Sequence, residues 1–522
     1  MTPASVLEHI LSQHAEMSAT AEVNWIRIAV QPSWLPELVG QLAPLWTFAG
    51  IVPENDPQPQ SVRLLYVFYA PKGPWLGIEV RNHGQNVPTI SDTLYAADWQ
   101  EREMEDLFDV QFEGHPQLGD FVLHDSHWPE GTAPMKRHSW EIRQKVNGFQ
   151  DLGTPRIVEA PGSFVMPIGP IYSGTAESIQ FGLETVGEEI VFAHIRPFYK
   201  YRAVEKLLEG RTPAVALLIG ERIDGLTALA HALAMAQAFE TLAGVQISPR
   251  AKLLRVFWAE IERIRSHIQV LAGILESTGL SVPANLIQAL EEELLQISGA
   301  LTGHRYLFEV IRIGGLRRDW SDADIQSIAK RLALIVEQAQ RILDALTFDN
   351  SFLDRLEGVG TLSPEKAGTH GLVGPVARAS GISRDLRIWQ PYAAYDQVRF
   401  DVPVQAEGDG YARFRQLSQE IAQSYRIVQQ IPRMLMPAGE GFPGDGFRIT
   451  EARTAFGYAE SPAGAVLCGV SSNRQGMVER CRMITPGLVN WHAFPHALRH
   501  FAFQDFPIIL ATFGLSVADL DR

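Results

Sequence analysis

Apolar positions alternate or run together over residues 23–30, 62–69 and 75–81, the period-two habit of strands. From residue 98 to 109 the period changes. Trp99, Met104, Leu107 and Phe108 fall near one face, while Glu101, Glu103, Glu105 and Asp106 line the rest. This predicts an amphipathic helix whose acids are solvated or meet another protein. Residues 167–170 open a strand pair, predicted at 181–185 and 189–194 on either side of Gly187. Beyond it the 3.6-residue spacing dominates, with long helices predicted over 251–275, 284–300, 322–345 and 411–436. The most apolar stretch, 226–245, contains His231, Gln237 and Glu240 and reads as a buried helix rather than a bilayer span. The fold class is therefore α+β. A small N-terminal α+β domain (residues 1–140) is followed by a linker (141–165) marked by Gly148, Gly153 and Pro155, then by a mainly helical domain (166–522).

Composition narrows the function. A chain of 522 residues with 46% apolar and 20% charged side chains is folded and large enough for more than one core. With 60 acids against 45 bases, the net charge of −15 argues against a nucleic-acid partner. The polar start of the chain predicts no signal peptide. Cys468 and Cys481 are the only cysteines. They are too few to bind an iron–sulfur cluster by four thiolates or to frame a disulfide-stapled domain, so they are expected as core residues in a reducing compartment.

Several motifs then appear in a fixed order. The segment 98–116 resembles the signature of the 30-kDa subunit of respiratory complex I. The segments 301–305, 312–319 and 380–387, continuing into Gln390-Pro391-Tyr392 and Tyr395-Asp396, resemble its 49-kDa subunit. Residues 374–378 are similar to a stretch in membrane-bound hydrogenases. A 30-kDa-like domain fused to a 49-kDa-like domain resembles the large subunit of formate hydrogenlyase-type (group 4) nickel–iron hydrogenases. In those relatives, segments like 221–231 and 511–522 each carry a Cys-x-x-Cys pair that binds the nickel–iron centre. Here the four positions read Asp224, Thr227, Ser516 and Asp519. Carboxylate and hydroxyl oxygens do not replace the soft thiolates nickel needs. The family's Glu-Ala-Pro-Arg-Gly motif also lacks its arginine, reading Glu460-Ser461-Pro462-Ala463-Gly464. The chain thus resembles an energy-converting hydrogenase-related subunit that has lost all four metal-binding cysteines, and it is not expected to act on hydrogen or to bind metal.

The quinone motif of the 49-kDa subunit is altered too. Gly-Pro-Gln-His-Pro-x-Thr-His becomes residues 169–176, with Ile171 and Tyr172 in the third and fourth places, and Gly225 stands where a tyrosine follows the aspartate. Tyr172 is the nearest candidate for contact with a quinone. What remains is an oxygen-rich set. Asp224, His231 and Asp519 are candidate proton-transfer groups, with Thr227 and Ser516 lining the same place, if the resemblance brings the two segments together. His231 stands seven residues after Asp224, two turns along one helical face. Glu205, in a variant of the family's Tyr-x-His-Arg-Gly-x-Glu-Lys pattern, is a further proton-relay candidate or a structural ion-pair partner. Arg222 is expected to orient acids or carbonyls nearby.

The resemblance implies a peripheral-arm subunit on the cytoplasmic face of a prokaryotic inner membrane, with no span of its own. Its expected partners are a small iron–sulfur subunit, a ferredoxin-like subunit and a membrane module with antiporter-like subunits. It would couple electron transfer from the iron–sulfur partner to proton or ion translocation, and bind no cofactor itself. Two alternatives stand beside this: a quinone oxidoreductase with a rearranged headgroup site, and a non-catalytic scaffold that transmits conformational change. The scaffold predicts a cavity filled by Leu226, Phe513 and Leu515, with Asp224 in a fixed ion pair.

Overall fold

The computed structural model describes residues 17–56, 61–82, 86–123, 133–136, 157–158, 161–437 and 447–522. The expected linker lies largely outside them. The N-terminal part is a five-stranded sheet in the order β1-β2-β5-β4-β3 (Ser18–Ala21, Trp25–Ala29, Trp75–Arg81, Val62–Tyr69, Thr47–Asn55), with β2 and β5 parallel and the other pairs antiparallel. The strands expected over 62–69 and 75–81 form as read. Thr47–Asn55 was not legible because Gly50 and Pro53 interrupt its apolar run. It survives as an edge strand, where a missing N–H costs little, with a bulge between Phe48 and Gly50.

The Asp98–Phe108 helix also forms, but three of its acids are not solvated, while Glu105 and Asp106 are half-buried. Asp98, Glu101 and Glu103 are all buried. The reason is tertiary: the C-terminal part of the chain covers the helix and supplies partners for Asp98 and Glu103, while Glu101 is held by Thr89 and Ile90. The core of the N-terminal sheet accordingly runs on into Trp491, Phe494, Phe513 and Leu520.

After a three-stranded antiparallel sheet (Ser163–Ile168, Gln180–Val186, Glu189–Arg196), helices dominate. Pro249–Ser277 is the central one, opened by Ser248, whose side chain accepts from the Ala251 N–H, with proline in the first turn. It packs against Ser281–Thr302, Gly410–Met434 and Phe506–Phe513. A second antiparallel sheet, Thr454–Ser461, Gly464–Ser472 and Val478–Ile484, carries the Ala228–Ala243 helix on one face. Gly457 permits that approach: a Cβ there would sit 1.9 Å from the Ala234 carbonyl oxygen. Cys468 and Cys481 lie buried in this sheet with their sulfurs 3.8 Å apart. Among the described residues no helix is long and apolar enough to cross a membrane.

Candidate functional site

The two segments singled out in the sequence do meet. The first is a turn between the helices Pro213–Gly220 and Ala228–Ala243, so Asp224 precedes the helix rather than lying two turns before His231 along it. The Asp224 carboxylate makes its own turn, accepting from the Leu226 N–H at 3.1 Å and from the Thr227 hydroxyl at 3.4 Å. The second segment follows Gly514, whose left-handed backbone (φ 58°) ends Phe506–Phe513. Ser516 then caps the short Val517–Leu520 helix, its hydroxyl accepting from the Asp519 N–H at 3.3 Å. Asp519 accepts from the Gly487 N–H at 2.7 Å, and its carbonyl from the Thr485 hydroxyl at 2.8 Å.

His231 joins the two. Its Nε2 lies 3.1 Å from Asp519 Oδ1, with the ring entirely buried and Asp519 3% exposed. The contact is close but poorly directed: neither ring nitrogen, nor Asp519 Oδ1, has an aligned hydrogen-bond partner. Arg202 holds the backbones together. It donates to the Ile223 carbonyl at 2.8 Å and to the Ala518 carbonyl, while its own N–H meets the Asp521 carbonyl at 3.0 Å. Arg265 donates to the carbonyls of Gly225 and Leu226 at 3.1 and 2.8 Å.

These surroundings disfavour an ionised Asp224. Burial, and next the charge of Asp519, pushes the Asp224 carboxyl up. Burial opposes a charged His231, but contact with Asp519 and the nearby Asp224 and Glu262 raise its pKa overall. Glu262 was not singled out in the sequence. It accepts from the Leu229 and Ala230 N–H groups at 2.7 and 3.1 Å, capping the helix that carries His231, and burial pushes it up to about 7. Its signal was available: Pro249–Ser277 carries Glu260, Glu262, Arg263, Arg265 and His267 in a stretch too charged for a helix buried on all sides.

The remaining candidates lie elsewhere. Glu205 sits in a buried cluster with Glu103, Arg482 and Arg522. It meets Arg522 Nε at 3.0 Å and accepts from the Met483 N–H at 2.9 Å. Glu103 takes both guanidinium groups at 2.7 Å. Burial would raise its pKa, but the two arginines prevail and hold it at about 2. Arg222 is at the surface, donating to the Leu218 carbonyl, Glu221 and Glu309. Tyr172 is half-buried, its ring 6.0 Å from that of Phe506.

The donor set does not suit nickel. It offers two carboxylates and two hydroxyls, with Thr227 committed to Asp224 and Ser516 to its helix. Among the described residues no group of three or more His, Cys, Asp or Glu is arranged to hold a metal ion. Where the resembling motif would carry its arginine, Pro462 and Ala463 line a cavity of about 20 Å³ with Thr512, Phe513 and Gly514, room for roughly one water.

Comparison with known proteins agrees with this frame. Residues 278–443 match the respiratory-chain NADH dehydrogenase 49 Kd subunit family, and residues 36–143 the 30 Kd subunit family. The chain is 28% identical to formate hydrogenlyase subunit 5 of Escherichia coli, covering all of this chain and 91% of the relative. It is 28% identical to a fused C/D-type subunit of the NADH-quinone oxidoreductase of Aquifex aeolicus, over 85% of this chain and 82% of the relative. It is 34% identical to a D-type subunit of the NADH-quinone oxidoreductase of Opitutus terrae, over 62% and 72% respectively. Its fold is also that of a chain in the membrane-bound sulfane sulfur reductase, an archaeal respiratory membrane complex. That match has a TM-score of 0.66 at 23% identity and covers 70% of this chain and 100% of the other.

Proposed function

The chain belongs to the family of the respiratory NADH dehydrogenase 49-kDa subunit, the D-type subunit of NADH-quinone oxidoreductase, with a 30-kDa-type domain fused ahead of it, and we propose that it is a peripheral-arm subunit of a membrane-bound redox complex that works without a nickel–iron centre. Its relatives are subunits of membrane-bound respiratory and hydrogenase-like complexes. The chain would sit on the cytoplasmic face, attached through a membrane module with antiporter-like subunits. It would take electrons from a small iron–sulfur subunit served by a ferredoxin-like subunit. Its own contribution is proton handling at Asp224, His231 and Asp519.

The observation that carries this reading is the buried His231–Asp519 contact, with unaligned donors and acceptors, facing a carboxyl already pushed up. An imidazole 3.1 Å from one carboxyl and in the field of a second can take up or release a proton as charge arrives nearby, which is the property a proton-coupled redox step requires. When Asp519 is ionised it favours the imidazolium, and a proton gained by Asp224 relieves the repulsion between the two acids.

One observation favours quinone as the acceptor. An apolar groove of about 450 Å³, lined by Val204, Leu207, Val215, Leu218 and Ile219, has Arg202 and Arg222 on its rim, beside the turn that carries Asp224. The scaffold alternative draws on Phe513, which is buried, and on Leu226 and Leu515, which are half-buried.

The test is turnover of the natively isolated complex, driven by a low-potential donor with quinone as acceptor. Wild type is compared with Asp224→Ala and Asp519→Asn. Proton handling predicts a loss on the order of 100-fold or more in Asp519→Asn while the partner's clusters stay reducible. Quinone turnover that also collapses in Asp224→Ala places the acceptor here. Undiminished turnover in both variants leaves only the scaffold.

A further inference from the structure

Away from that site, four histidines gather where the N-terminal part meets the C-terminal helices. His492 and His496 stand one turn apart on the Pro486–Leu498 helix. His370, just after Pro364–Thr369, brings its ring centroid to 5.3 Å from that of His492 and 4.5 Å from that of His496. The N-terminal part covers them. Tyr95 stacks on His492 at 4.6 Å and meets His370 edge-on at 4.8 Å. Asp98 lies 3.3 Å from His492 Nε2 and 3.4 Å from His115 Nε2. The seam is tight, since a Cβ on Gly371 would come within 2.9 Å of the Ala96 Cβ.

The charges around the cluster are unbalanced. Asp98 is the carboxylate that His492 and His115 share. Glu101, 3.8 Å from His115, already accepts from the Thr89 hydroxyl and the Ile90 N–H. Against them stand Lys366 beside His370 and His496, Arg499 beside His496, and Arg102 beside Asp98 and His115. The His370 Nδ1 meets the Lys366 carbonyl at 2.9 Å, while its Nε2 and the His496 Nδ1 are buried with no hydrogen-bond partner. A proton on either ring would add positive charge among positive charges. The ring nitrogens also fail to converge as a ligand set, so the geometry favours a response to protons over a metal site.

We propose that His370 and His496 make this seam a proton-sensitive latch: neutral, they let the N-terminal part sit against the C-terminal helices, and protonated, they repel each other and the cations beside them and loosen that seam. The direction follows from the environment. Burial, then a neighbouring histidine (His492 at His370, His370 at His496), then Lys366 and, at His496, Arg499, lowers His370 to about 4 and His496 to about 3, below the usual 6.5. Protons therefore bind better to the opened form. The latch is at full strength above about pH 6.5 and weakens as the pH falls from there toward 4.

The test is hydrogen–deuterium exchange on the full chain at pH 7.5 and 5.5, corrected for intrinsic exchange. Protection over residues 95–108 and 486–498 is expected to fall about tenfold at the lower pH. That fall should shrink in the His370→Asn/His496→Gln double variant and persist in His500→Gln, an exposed control paired with Glu189. Full protection of wild type at pH 5.5, or an equal fall in the double variant, overturns the latch. Should the double variant not fold, the melting temperature of His496→Gln serves: a smaller drop than wild type between pH 7 and 5 supports the latch, and an equal drop overturns it. Saturable Co²⁺ binding that is lost in His370→Asn would also overturn it, in favour of a metal site.

Discussion

Two buried charge assemblies lie along the same central helix, and they treat their acids in opposite ways. In the first, Arg378 and Arg387 are entirely buried among Glu260, Asp385, Glu420 and Glu460. Arg378 meets Glu420 at 2.7 Å and Glu460 at 2.8 Å; Arg387 meets Asp385 at 2.7 Å and Glu260 at 3.1 Å. Burial works against all four carboxylates, yet Glu260, Asp385 and Glu420 are held below the usual range by these guanidinium forks. With Arg263 there are three arginines for four acids. The fourth, Glu460, is the one pushed up, by burial and then by Asp385. In the second assembly, around Asp224 and Asp519, the nearest guanidinium groups spend their donors on backbone carbonyls. The acids there must make do with N–H groups, a hydroxyl and one imidazole. The contrast separates carboxylates held ionised by guanidinium forks from an Asp224 carboxyl that burial and the neighbouring Asp519 push up.

The hardest test of that contrast is Arg378→Met. It strands Glu420 and Glu460 in the core, and chemical denaturation should show a loss of about 3–5 kcal/mol or failure to fold. A mild effect would mean the arginine network is not structural. Glu262→Gln should act in the opposite sense. Because Glu262 is raised from 4.5 to about 7, its ionisation costs stability as the pH rises through that window. The variant should therefore gain on the order of 1–2 kcal/mol at pH 8 and nothing at pH 4. A loss at pH 8 would place Glu262 with the fixed charges. The smallest effect is expected from Thr227→Val, which removes one hydroxyl donor to Asp224. A destabilisation of about 0.5–1.5 kcal/mol is expected by thermal unfolding, and no change at all would mean the hydroxyl does not bear on that carboxyl.

Much of this was legible in the residues. Strands 62–69 and 75–81, the long helices, and the two segments carrying Asp224 and Asp519 all follow from periodicity or from motif order. The C-terminal three-stranded sheet and the buried acids of Asp98–Phe108 were not. An apolar run such as Val466–Val470 carries no mark of its partner strand, and Glu103 looks like one more solvated helix acid until Arg482 and Arg522 arrive from 379 and 419 residues away. Likewise Glu262 and Arg265 stand in a conspicuously charged stretch, but which groups they meet is set by the turn they face.

Side-chain identity alone fixes which donors stand at the compared positions. Asp224, Thr227, Ser516 and Asp519 offer oxygens and no thiolate, Ala463 offers no guanidinium and Tyr172 no imidazole. The local turns are written in the residues as well, since the Asp224 and Ser516 side chains bond to backbone groups two or three residues on. Which charges meet is a matter for the folded molecule. Whether a buried carboxyl stays ionised depends on what distant segments bring to it, as the guanidinium forks do at Glu103 and Glu420. That pairing is a property of the fold, because desolvation and Coulomb attraction act through space and not along the chain.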